Sequence, residues 1–376
     1  MTRYLFVSLP LAGHVNPASA LASHLTDVAW AGSELALRPM LGPDATILPT
    51  GSRLFREQGG SGLASVRSLW TRFIVPYAKF VLPGVERAVR TYQPDVLVVD
   101  QHAVAGALVA QRHGLPWATV ICSAMELTEP LRGLPKVAAW TLDHLRALWS
   151  YAGLPPDEFF DVRYSPYLTI APTTSLLAGR EFPDRVRLVG PLVADRPAPP
   201  FPFDRLDPHR TRVLVTMGTL ADDLATNFYR RAIPAIGPAQ GIVVADLPDA
   251  PADVIVAPRV PMLRLLPHVD AVVGHAGMNT TVEALANGVP LVLAPIRHDQ
   301  PEMARQVVAA GAGVRVNFRR AGTAELADAV RTVLHDVSYR RAATRIAESF
   351  RDAGGAAEAA ACLARLRQPT ASGDRS

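Results

Sequence analysis

The sequence predicts an α/β protein of two consecutive doubly wound domains facing a central cleft. Three observations carry this. Short continuous apolar runs alternate with helix-length segments along the chain, the pattern of parallel strands buried on both faces. A single proline-dense segment, PLVADRPAPPFPFDRLDP at 191–208, interrupts the alternation, which then restarts. The length of 376 residues suits two ordinary cores better than one.

In the first half, the apolar runs 4–9, 28–32, 46–48, 95–99, 118–121 and 168–170 read as strands. Segments 17–25, 68–92, 103–113 and 136–151 read as helices, the first with Asn16 as N-cap and Pro17 as first residue. Pro76 and Pro83 predict a break or kink in the long one. In the second half, 212–216, 241–245, 254–257, 271–274, 291–294 and 314–316 read as strands. Segments 222–236, 279–286, 301–310 and 324–334 read as helices, and the Ala-rich 339–367 as a closing helix broken near Gly354–Gly355. The expected organisation is therefore a domain at 1–190, a linker at 191–210 and a second domain at 211–338. The closing helix at 339–367 is expected to pack back towards the first domain, ahead of a disordered tail at 368–376.

Composition narrows the function. Hydrophobic residues make up 49% and charged residues 19%, which argues against a disordered or fibrous chain. Net charge is +4, and no basic block is interleaved with aromatics, so nucleic acid is not an expected partner. Cys122 and Cys362 are far apart and lack metal-type spacing, as in a reduced cytoplasmic protein. The N-terminal MTRYLFVSLPLAGHVNP lacks a cleavage pattern, and no apolar run is long enough to span a bilayer. A monomer or homodimer is expected.

The most informative stretch is DAVVGHAGMNTTVEALANGVPLVLAPIRHDQPEMARQVVAAGAGV, 270–314. His275 follows an apolar strand just before a helix, where free backbone N–H groups and the helix dipole suit an anion. Gly277 allows close backbone approach, and Asn279 and Thr280 can cap the helix or meet phosphate. A plain capped turn fits these residues equally well. Glu283, one turn on, can accept both hydroxyls of a ribose, or it is a solvated helix charge. Asp299 and Gln300 offer acceptors and donors for vicinal sugar hydroxyls, or an N-cap ahead of Pro301. Thr219 ends another strand and suits a phosphate. Around Val260 the backbone can read a base edge, and the Arg259 guanidinium can stack on it or lie on the surface.

In the first half His14 projects from the end of strand one, suited to removing a proton near neutral pH. Asp100, at the tip of another strand, can orient it or cap the next helix, and His102 competes for either role. No GxGxxG follows a strand, and GxxxxGK[ST], HExxH and GxSxG are absent, so nicotinamide, flavin and P-loop chemistry are disfavoured and no metal is assigned.

Together these residues resemble the UDP-glycosyltransferase superfamily: inverting family 1 glycosyltransferases of GT-B fold, especially bacterial enzymes that decorate natural products. The resemblance covers most of the chain. It rests on GHVNP, PDVLVVD with a helix ending near HGLPWATV, LVGP, VTMGT, RVPMLRLLPHVDAVVGHAG and HAGMNTTVEALANGVPLVLAPIRHDQPEMA. It implies that His275, Gly277, Asn279, Thr280 and Thr219 hold the diphosphate, Glu283 the ribose, and Val260 and Arg259 the base. Asp299 and Gln300 would bind the donor sugar, and His14, oriented by Asp100, would deprotonate the acceptor. The co-substrate would be a UDP- or dTDP-sugar, with no cofactor and no metal.

Departures from the pattern mark what is particular here. Ala276 stands where relatives often carry a second glycine, and Arg259 where many carry an aromatic. Arg297–His298 is a bulkier, charged loop. Trp70, Phe73 and Met125 are candidates to line a hydrophobic acceptor site. Two other readings stay open: a sugar-nucleotide 2-epimerase on the same architecture, whose paired acids are not seen, and a transferase-like helper without catalysis.

Overall fold

The computed structural model describes residues 1–52, 62–124, 127, 133–196, 198–218 and 223–366. The chain divides into two compact units. The first comprises Met1–Pro172, Phe182–Ala194 and the chain from Ala353; the second comprises Thr173–Glu181 and Asp195–Asp352. The main passage between them, Ala194 to Asp195, falls in the proline-rich segment.

Along the first unit run β1 (Arg3–Val7), α1 (Ala12–Ala22), β2 (Asp27–Gly32), α2 (Glu34–Leu41) and β3 (Ile47–Pro49). Next come α3 (Leu63–Ser68), a π-helical stretch (Leu69–Ile74) and α4 (Val75–Tyr92). Then follow β4 (Val96–Asp100), α5 (Ala105–Arg112), β5 (Trp117–Val120), α6 (Pro135–Tyr151) and β6 (Leu168–Ala171). After α7 (Ser175–Ala178), which belongs to the second unit, comes β7 (Val186–Leu188). All seven strands are parallel, in the order β3-β2-β1-β4-β5-β6-β7.

The second unit holds β8 (Arg212–Thr216), α8 (Asp223–Ala235), β9 (Gln240–Val244), β10 (Ile255–Ala257), α9 (Met262–Leu265) and β11 (Ala271–Gly274). It continues with α10 (Met278–Ala286), β12 (Leu291–Leu293), α11 (Gln300–Ala309), β13 (Gly313–Arg315), α12 (Thr323–His335) and α13 (Val337–Asp352). Its sheet is parallel, in the order β10-β9-β8-β11-β12-β13. The expected doubly wound fold is what the chain adopts. No helix of the described residues is long and apolar enough to cross a membrane.

Three local expectations change. The helix after β1 starts at Ala12 with Leu11 as its N-cap, so Asn16 is no cap and Pro17 lies inside it. Pro17 forfeits one backbone bond, but Val15, Pro17, Ala18 and Leu21 are buried, and that packing holds the helix. The long helix does break near Pro76: the π-helical stretch ends at Ile74 and Pro76 falls in the first turn of α4, while Pro83 is carried inside it. The closing helix splits into α13 and α14 (Gly355–Arg365). Gly354 and Gly355 both adopt positive φ, 81° and 58°, and a Cβ on Gly354 would meet that of Glu358 at 2.8 Å. The halves part company: α13 packs on α10 and α12 in the second unit, and α14 on α1 in the first.

Candidate active site

In each sheet the first strand has neighbours on both sides, and the chain winds first one way and then the other. The crevice at the carboxyl ends of the two strands flanking that reversal is the natural ligand site of such a sheet. In the first unit these strands are β1 and β4; in the second they are β8 and β11. His14 lies in the first turn of α1, directly after β1, and Asp100 is the last residue of β4. His275 directly follows β11, and Gly218 lies two residues beyond β8.

Asp100 is the hub of the first site. Its carboxylate is 5% exposed, and the Nδ1 of His14 lies 2.6 Å from Oδ2. The Leu9 N–H and Ser8 hydroxyl also donate to Oδ2, each at 3.4 Å. Oδ1 accepts the His102 N–H at 2.8 Å and the Cys122 thiol at 3.2 Å. Burial pushes its pKa up, but the charge and hydrogen bond of His14 and the neighbouring His102 more than reverse this, leaving it far below the usual carboxylate range. An ionised carboxylate can only accept, so Nδ1 of His14 carries a proton, and in the neutral ring the lone pair falls on Nε2. Tyr77, whose hydroxyl donates to the Ser8 carbonyl at 3.5 Å, closes one side; burial and the Asp100 charge push its pKa up.

In the second unit the imidazole of His275 lies between two glycines. A Cβ on Gly218 would meet its Cε1 at 2.6 Å, and one on Gly277 its Nε2 at 2.4 Å. Gly218 also has φ 66°, so only glycine fits there without strain. A hydrogen bond ties the ring to the Thr216 carbonyl, while Nδ1 is buried without a hydrogen-bond partner. Burial, assisted by the nearby Arg297 charge, pulls its pKa down to about 4, against the lesser pull of Thr216. The ring is therefore neutral at pH 7. Ala276 follows at φ 64°, a left-handed backbone, and Gly277 is the N-cap of α10. Asn279 and Thr280 stand in the first turn of that helix, past the N-cap position, which Gly277 takes.

Glu283 is neither a solvated charge nor open to a ribose in this structure. It is 5% exposed and pairs with Arg196 at 2.9 Å. Burial raises its pKa, and Arg196 opposes the rise. Asp299 occupies the N-cap position of α11 without a side-chain capping bond. Gln300 is buried, and its Oε1 accepts the Ile296 and Arg297 N–H groups at 2.9 and 3.0 Å, which leaves its amide nitrogen to donate. Arg259 is exposed and Val260 half-buried, just beyond edge strand β10, where the Val260 carbonyl accepts the Met262 N–H. Trp70 and Phe73 are 2% and 7% exposed in the core of the first unit, so they present almost no surface to an acceptor. Thr219 and Met125 lie outside the described residues.

The sequence pattern of the family described as "UDP-glucoronosyl and UDP-glucosyl transferase" matches residues 249–354, which contain His275, Glu283, Asp299 and Gln300. Over nearly its whole length the chain is similar to 4'-demethylrebeccamycin synthase of Lentzea aerocolonigenes, at 29% identity over 93% of this chain and 95% of that protein. In both comparisons the likeness is to the UDP-glycosyltransferase superfamily. The chain is a glycosyltransferase. NDP-glycosyltransferase YjiC of Bacillus subtilis (strain 168) is 27% identical over 94% of this chain and 95% of its own length. Among solved structures, the calicheamicin glycosyltransferase CalG4 superposes with a TM-score of 0.78 at 22% identity, covering 97% of this chain and 99% of that one. The spinosyn rhamnosyltransferase SpnG, complexed with thymidine diphosphate, gives 0.78 at 20% identity, over 97% and 100% of the two chains. These likenesses fix the fold as GT-B.

Three residues of this glycosyltransferase escaped the sequence reading of its sites. Cys122 follows β5, the neighbour of β4, so its place beside Asp100 comes from strand order alone. Ser8 had no motif. Arg196 sits within the proline-rich run and reaches Glu283 across 87 positions, a pairing no local pattern encodes.

Proposed function

We propose that the enzyme moves a hexose or deoxyhexose from a UDP- or dTDP-sugar to a hydroxyl of a hydrophobic small molecule, with inversion and with His14 as general base. The observation that carries this is the buried, ionised Asp100 holding Nδ1–H of His14 at 2.6 Å. That bond fixes the tautomer whose Nε2 can take a proton, and the carboxylate stabilises the imidazolium that forms.

In this reading the acceptor hydroxyl gives its proton to Nε2 as its oxygen attacks the anomeric carbon. The bond from that carbon to the diphosphate oxygen breaks on the opposite face, and the nucleoside diphosphate leaves. Backbone N–H groups at the start of α10 and the His275 ring meet its phosphates, made approachable by Gly218 and Gly277. The leaving charge is met by these groups without a metal cofactor. Glu283 takes the ribose hydroxyls once Arg196 yields, the Arg259–Val260 turn meets the base, and Asp299 with the Gln300 amide meets the sugar.

The relatives support a natural-product acceptor, since their names are those of rebeccamycin, calicheamicin and spinosyn enzymes. Thymidine diphosphate in the SpnG complex supports the dTDP arm. The test is a thermal-shift screen of UDP- and dTDP-sugars, then product mass and anomeric configuration by NMR with aromatic and macrolide acceptors. A product of opposite anomeric configuration to the donor is expected. A retained configuration, or no nucleotide sugar that binds, would refute the reading.

A further inference from the structure

The His14–Asp100 dyad has two neighbours, His102 and Cys122, to which the proposed transfer gives no step. His14, Asp100, His102 and Cys122 each offer a ligand atom, and these atoms all lie within 4.8 Å of one another. They come from the ends of β1, β4 and β5, three adjacent strands, so the parallel sheet itself brings them together. A tetrahedral zinc site has metal–sulfur and metal–nitrogen bonds of about 2.3 and 2.0–2.1 Å, placing ligand atoms roughly 3.3–3.8 Å apart. Closing from 4.8 Å needs inward shifts of about 1 Å, within reach of side-chain rotation. A cavity of about 10 Å³, lined in part by His14, Asp100 and Cys122, lies against them.

We propose that these four residues form a binding site for a borderline-soft divalent cation, Zn²⁺ or Co²⁺, and that its occupation switches the transferase off. Two imidazoles, a thiolate and a carboxylate are the donor set such ions select, whereas Mg²⁺ and Ca²⁺ favour all-oxygen sites. The Cys122 thiol loses its proton to solvent as the metal–sulfur bond forms, and Asp100 supplies a second negative charge. Inhibition follows from His14 alone. If Nε2 binds the metal, its lone pair is used; if Nδ1 binds, the displaced proton moves to Nε2. Either way no base is left. The binding claim is independent of the proposed function, while the inhibition rests on His14 being the base.

The experiment uses the full chain, stripped with chelator and dialysed, and Zn²⁺ or Co²⁺ alone as probe. Competition with a chromophoric chelator is expected to give one Zn²⁺ per chain, and Co²⁺ a thiolate charge-transfer band in the near ultraviolet. Cys122→Ser should abolish that band, and Cys122→Ser and His102→Gln should each weaken Zn²⁺ binding by roughly tenfold or more. Mg²⁺ should not compete. Zn²⁺ should stop transfer by the unmodified enzyme, and chelator should restore it. Should one variant fail to fold, the other decides, because each removes one ligand. No stoichiometric binding, or a band unchanged in Cys122→Ser, overturns the site. Tight binding through Cys122 with transfer unimpaired overturns the switch, while His14 as the base stands or falls separately on transfer by His14→Ala.

Discussion

Asp100 accepts from His14 on one oxygen and from His102 on the other, so neither oxygen can be exchanged for an amide nitrogen without facing a donor. Asp100→Asn must therefore turn its NH₂ either onto Nδ1–H of His14 or onto the His102 N–H. The variant is expected to lose on the order of 10²-fold or more in kcat while its donor Kd by calorimetry stays within about threefold. His14→Ala should behave alike. Strong residual transfer to a hydroxyl acceptor in either variant would end the base assignment.

His275 should act on the donor alone. With its ring hydrogen-bonded to the Thr216 carbonyl, Nδ1 presents a lone pair, and contact with a phosphate oxygen there requires a proton. Donor binding at pH 6–7 is expected to take up close to one proton, read by calorimetry in buffers of different ionisation enthalpy. His275→Ala should abolish the uptake and weaken nucleotide affinity by about tenfold or more. Stability should move too. A histidine folded at about 4, against an ordinary 6.5, binds its proton more readily unfolded, so it adds a rise in stability from pH 4 to pH 6.5. The variant should lose that rise, worth about 3 kcal/mol. Unchanged acid unfolding would contradict the buried neutral ring.

Arg196→Ala leaves the Glu283 carboxyl buried without its cation. Burial then acts unopposed and lifts its pKa further. A carboxyl that holds its proton more tightly when folded costs stability as pH rises above its unfolded pKa. The deficit should be small near pH 4.5 and reach about 1–2 kcal/mol by pH 8, allowing for the partly exposed guanidinium. Urea unfolding across pH would show it; a deficit independent of pH would mean that Arg196 acts by packing.

Ala276 holds a left-handed backbone at φ 64° while nearly fully buried, at 2% exposure. Ala276→Gly relieves about 1–2 kcal/mol of backbone strain but gives up a buried methyl and adds unfolded-state entropy. It should fall within about 1 kcal/mol of the parent. Ala276→Val meets both strain and crowding and should lose more than about 2 kcal/mol. A valine variant of parental stability would show that the turn can relax.

The strands of both sheets were legible because buried parallel strands write themselves as unbroken apolar runs: 212–216 and 271–274 are placed to the residue. α2 was missed because Arg38 and Pro39 interrupt its pattern, and β7, only Val186–Leu188, because a lone arginine sits between its two apolar residues. His14, Asp100 and His275 could be picked out because strand tips are where such sheets bind. Which tips meet was not legible: strand order is set by packing, and only that order brings Cys122 to Asp100. Trp70 and Phe73 illustrate the opposite limit, since aromatic size suggests a ligand wall and a core equally.

The helix α14 fills the core of the first unit with Ala359, Ala360 and Leu363, beside Leu21 and Leu192, and the Gly355 N–H is tied to the Val189 carbonyl. Synthesis runs the other way. When Ala194 leaves the ribosome, the unit that began first still lacks a wall, and at about 5–20 residues per second roughly 10–30 s pass before Leu363 is made. The second unit is complete at Asp352, so it can finish folding first. His14 and Asp100 are then seated on a scaffold that closes only once α14 is translated, and a nascent chain stalled before Gly355 would carry a complete second unit and an incomplete first one.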